Sequence, residues 1–111
     1  MTALELRITR PIDPIEVLEL ISNVWRDVSP WVHAIDARDG GWDVVFDDGM
    51  TDAATRRFLS PEDVVPAIQR GLDEGVLCCG DALSREELGY GCAQDVDIVL
   101  QFALLGELVY G

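Results

Sequence analysis

The stretch WVHAIDARDGGWDVVFDDG, residues 31–49, constrains the fold more than any other part of the chain. Two runs of alternating residues flank Asp39-Gly40, a favoured pair for a two-residue type I′ hairpin turn. With that turn, Ala37 faces Trp42, Ile35 faces Val44 and His33 faces Phe46. One face then carries Trp31, His33, Ile35, Ala37, Trp42, Val44 and Phe46. The other carries Val32, Ala34, Asp36, Arg38, Asp43, Val45 and Asp47. A turn at Gly40-Gly41 would shift the pairing by two residues and leave both faces unchanged, so the facing is better determined than the register.

The hairpin needs partners to bury its apolar face. Residues 3–8, ALELRI, alternate like a half-buried strand. Asp13, Pro14 and Glu16 then form a capping-box arrangement. It opens an amphipathic helix over about residues 14–27, with Leu18, Ile21, Trp25 and Val28 as its inner stripe. Ser60 and Pro61 open a further helix, with Val64, Ile68 and Leu72 facing inward and Gly75 as its stop. Pro66 lies deep enough to shorten or kink it. The segment TDAATRRFL reads as a helical turn. Residues 76–93 read as an irregular connection, with Ser84 and Glu87 capping one short turn.

The closing run DVDIVLQFALLGELVYG is apolar but too short to cross a membrane as a helix, which takes about 20 residues. Its length and its Leu, Ala, Gln and Glu content favour a helix from Asp95 to Val109. Asp97 and Gln101 form one thin polar stripe on it. A helix apolar nearly all round is buried nearly all round. Either it is the central core helix, or a second copy of the chain covers part of it. Ile98, Leu100, Phe102, Leu104, Leu105 and Leu108 are the core or homodimer residues of this reading. The expected architecture is a single α+β domain over residues 1–111. It has two layers: a small three-stranded mixed sheet in the order βαββαα, with three main helices on one face.

The 111 residues carry 21 acidic and 8 basic side chains, a formal net charge of -13. Such a surface repels free nucleic acid and anionic membrane, whose protein partners are rich in cations. It favours basic protein surfaces, and it also confers solubility. All eight basic residues are arginine. The N-terminus MTALELRITRP lacks the basic and then apolar order of a signal peptide. With three cysteines, an odd number, this predicts reduced thiols and a cytoplasmic location.

Chemistry is sparsely signalled. His33 is the single histidine, and it reads better as a core-edge residue than as a general base, although Asp48 could approach it across the hairpin. Cys78, Cys79, Cys92 and His33 have the right count for zinc. The adjacency of Cys78 and Cys79 differs from a C-x₂-C knuckle, so no metal or other cofactor is expected. Arg85, the nearest cation in sequence, lies in an acidic stretch that does not favour a reactive thiolate. Asp47, Asp48 and Asp52 in FDDGMTD do not match a calcium loop. No phosphate-binding glycine loop or nucleophile elbow is present.

The hairpin's polar face is the most suggestive feature. Asp36, Asp43 and Asp47 would project from it in a row about 6.5–7 Å apart, opposed only by Arg38. Like charges on adjacent strands cost stability, and a basic partner would relieve them. The expectation is therefore a non-enzymatic acidic binding protein of the inhibitor, immunity or nucleic-acid-mimic type, such as phage or mobile elements encode. Its partner would be a basic protein. The alternatives are a homodimeric structural subunit, and a small-molecule binder or enzyme with a pocket near His33.

Overall fold

Strand alternation and helix capping account for most of the elements. The computed structural model describes residues 14–24, 27–50, 53–80, 83 and 91–110. The expected strand at 3–8, the Asp13 cap, Trp25 and the Ser84–Glu87 capping box lie outside the described residues. In chain order the elements are α1 (Pro14–Ile21), β1 (Val32–Arg38), β2 (Gly41–Phe46), β3 (Thr55–Leu59), α2 (Pro61–Glu74) and α3 (Ala93–Leu105).

The sheet corrects the expected topology. It is antiparallel rather than mixed, in the order β1-β2-β3. Helix α1 precedes the strands, so the described order is αβββαα. The third strand is TRRFL, read from sequence as a helical turn. Its alternation places Leu59 inside, against Trp42, and Phe58 outside, against Asp43.

The hairpin has the expected two-residue loop, with Arg38 paired to Gly41, Ala37 to Trp42 and Ile35 to Val44. The turn is not of type I′, because Asp39 keeps a negative φ and only Gly40, at φ +83°, is left-handed. Towards the start of β1 the register slips. Val32 pairs with Phe46 and Ala34 with Val45, leaving His33 as an extra residue. This bulge turns His33 out and Val32 in, so Trp31 and Val32 are both buried. His33 therefore does not lie on the apolar side. The inner face consists of Trp42, Val44, Phe46 and Leu59.

Helix α1 stops at Ile21, short of residue 27. Beyond it the backbone bonds tighten to Asn23 N–H on Leu20 O and Val24 N–H on Ile21 O, while the Asn23 side chain turns to the Gly91 carbonyl at 2.8 Å. Its buried stripe is Val17, Leu20 and Ile21, and Leu18 faces solvent. Helix α2 runs through Pro66 for 14 residues, from Ser60 at its N-cap to a left-handed Gly75. Asp63 accepts the Ser60 backbone N–H at 3.0 Å and completes the capping box. Val64, Ala67, Ile68, Gly71 and Leu72 form its buried face. All three helices and the inner sheet face share one apolar cluster, in which α2 and α3 pack most extensively.

Helix α3 ends at Leu105, so Leu108 lies beyond it and is 44% exposed. Glycine 106, at φ +78°, turns the chain back along the helix. The last turn has no basic residue of its own. Arg57 supplies one from β3, donating to Leu104 O at 2.7 Å, and Arg70 reaches the Gly106 carbonyl from α2. Both cations meet the negative end of the helix dipole. No helix among the described residues is long and apolar enough to cross a membrane.

Candidate functional site

The outer sheet face is the first candidate, because no helix among the described residues covers it. Asp36 and Asp43 are directly paired across β1 and β2 and both point outward. Arg38 lies diagonally and binds Asp43 through Nε at 2.6 Å. Among the described residues, Asp36 has no cation within ion-pair distance. Asp47 sits just past β2, where its carboxylate meets His33 Nε2 at 2.9 Å. The bulge creates this contact, and the partner of His33 is thus Asp47 rather than Asp48. Both side chains are close to half exposed, in an open setting rather than a pocket.

The same face carries two residues that the sequence reading did not place there. Arg56 lies opposite Val45, and Phe58 lies opposite Asp43 with 46% of its surface exposed. The signal for them was the alternation Thr55, Arg57, Leu59 against Arg56, Phe58. The face is therefore a mixed patch: on the edge strand the exposed ring of Phe58 adjoins Asp43, with Asp36 beyond it on β1, Arg38 and Arg56 on the same face, and Asp47 at the far end of β2.

Helix α3 is largely buried against the rest of the chain. Leu100, Phe102 and Leu104 are buried, and Ile98 and Leu105 are partly so. Three polar residues of the helix, Asp95, Asp97 and Gln101, also face protein, whereas Gln94 is exposed. Asp97 Oδ1 accepts from Ser29 Oγ at 2.6 Å and from Trp31 Nε1 at 2.7 Å, and its Oδ2 accepts from Gln101 Nε2 at 3.0 Å. Gln101 is 1% exposed and binds the backbone of the returning tail. Tyr110 stacks on Trp31 with centroids 5.4 Å apart. Its hydroxyl donates to Asp47 O at 2.9 Å, which ties the tail to the edge of the acidic face.

The second candidate is a group of thiols. Cys78 and Cys79 occupy the turn after α2, and Cys92 is the N-cap of α3. Their three sulfurs lie within 4.8 Å of one another. The adjacency of Cys78 and Cys79, which counted against a shared ion, does not keep their sulfurs apart. His33 is not in this group. Asp95 organises the turn. It is fully buried and accepts the backbone N–H groups of Cys78 at 2.7 Å, Cys79 at 3.2 Å and Cys92 at 3.1 Å. Desolvation, a hydrogen bond to Asp95 and that carboxylate's negative charge push the Cys79 thiol up to about 12. In the absence of a cation Cys79 is a protonated thiol and not a nucleophile.

No family model matches the chain, and no curated protein or solved structure matches it either.

Proposed function

We propose that this protein is a small, non-enzymatic acidic binding module that presents the outer face of its sheet to a basic protein surface. The observation that carries this reading is the uncovered patch around Phe58, with Asp36 and Asp43 opposed beside it. Aromatic side chains are enriched at binding interfaces, where they anchor contacts flanked by polar groups. The net charge of -13 supplies long-range steering towards a cationic partner. Repulsion between Asp36 and Asp43 is only partly relieved by Arg38, and a partner's arginine or lysine would complete the neutralisation.

The test compares the unaltered chain with D36N/D43N/D47N and with Phe58→Ser. The immobilised protein is used to retain basic proteins from a cell lysate, and each retained protein is then titrated at several salt concentrations. Affinity is expected to fall steeply with salt and to drop by about tenfold or more in each variant. Binding that is flat with salt and equal in both variants would refute the reading.

A further inference from the structure

We infer that Cys78, Cys79 and Cys92 form a binding site for a soft metal ion, with Zn²⁺ as the redox-inert representative. The convergence of the sulfurs is the starting observation: all lie within 4.8 Å although Cys92 comes 13 positions after Cys79, the difference between their numbers. A tetrahedral Zn–S bond of about 2.3 Å sets sulfurs about 3.8 Å apart. The sulfurs therefore need to close by about one ångström at most to reach that spacing.

The backbone is already held in place. One carboxylate, Asp95, receives the N–H groups of all three cysteines. It therefore fixes the turn after α2 against the first turn of α3 and aims three side chains at one point. Outer-shell hydrogen bonds of this kind orient the ligands of a metal centre. Thiolate donors select soft cations such as Zn²⁺ and Cu⁺ over Mg²⁺ and Ca²⁺. Cys78 is solvent-exposed and Cys79 and Cys92 are partly exposed, which gives an ion an entry path. The three sulfurs leave a fourth position for water. Each bound thiol gives its proton to solvent as its sulfur–metal bond forms, and no electron is transferred.

The test uses reduced, anaerobic protein and Co²⁺ as a spectroscopic substitute for Zn²⁺. One equivalent of Co²⁺ should produce sulfur-to-cobalt charge-transfer absorption, and Zn²⁺ should displace it. Proton release should accompany binding, and all three thiols should become protected from alkylation. Cys92→Ser is the informative variant, because serine is itself a preferred N-cap and keeps α3 intact. It should lower the affinity by at least the ~10–100-fold that loss of an outer-shell partner costs, with thermal unfolding of the metal-free protein unchanged. Cys78→Ser should do the same. Absence of the charge-transfer band overturns the proposal. So does an ion bound equally well by Cys92→Ser, since it would then sit on other groups.

Discussion

The side-chain amide of Gln101 pairs with the backbone of Tyr110 on both sides, accepting its N–H at 2.9 Å and donating to its carbonyl at 3.1 Å. It also accepts the Val109 N–H at 2.8 Å, so a buried glutamine does for the tail what a neighbouring strand does in a sheet. Gln101→Ala leaves these backbone groups and Asp97 short of partners inside the protein. The expected cost is about 1–3 kcal/mol, read from urea unfolding, together with changed Trp31 fluorescence as Tyr110 leaves its ring. Unchanged stability would show that the tail is held by other contacts.

Tyr110 gives the chain an alkaline limit. Burial, followed by the charges of Asp47 and Asp48, raises its phenol above the ordinary value of 10. A group whose pKa is raised on folding contributes stability that is complete below its unfolded pKa. That contribution is lost as pH rises through the folded value. In a Tyr90→Phe background, the midpoint of tyrosinate absorbance should therefore lie above the ordinary value of 10, with Trp31 fluorescence changing in step. A midpoint at 10 or below contradicts the packing of the ring against Trp31.

Gly41 has no room for a side chain. A Cβ there would overlap the Leu59 carbonyl and lie 2.9 Å from Phe58 Cζ. Because the carbonyl belongs to the β3 backbone, relief means parting β2 from β3 at the edge of the proposed docking patch. Gly41→Ala should lower stability by about 1–3 kcal/mol in thermal or chemical unfolding. A neutral substitution would mean that β3 is not paired at Leu59.

Pro66 lies inside α2, where it cannot donate to the Glu62 carbonyl one turn back. The helix persists because tertiary burial of Val64, Ala67, Ile68 and Leu72 outweighs that loss. Pro66→Ala restores the bond at an exposed position. It should stabilise the protein by about 2 kcal/mol, the helix-interior penalty of proline less its restriction of the unfolded chain. No gain in the unfolding midpoint would place the irregularity elsewhere.

Features made by residues close in sequence were legible before any coordinates. Asp39-Gly40 joins two alternating runs, and Ser60, Pro61, Asp63 and Gly75 bracket α2, because turns and caps are local hydrogen-bonding problems. The outward aspartates Asp36 and Asp43 follow from the same alternation. His33 was misplaced because the bulge arises from how Trp31 and Val32 both enter the core, which a period of two cannot express. Strand β3 was missed because TRRFL is short and half charged, and it becomes a strand by pairing with β2.

By itself the sequence determined an α+β chain with a strong net negative charge, one hairpin and capped helices. These rest on the periodicity of side chains along the backbone and on net charge. Tertiary structure alone decided where the polar groups of α3 go: Asp95 to the cysteine turn, Asp97 to Ser29 and Trp31, and Gln101 to the returning tail. It also gathered Cys78, Cys79 and Cys92. The reason is that a buried carboxylate or amide must find hydrogen-bond partners wherever the fold brings them, and those partners come from distant parts of the chain.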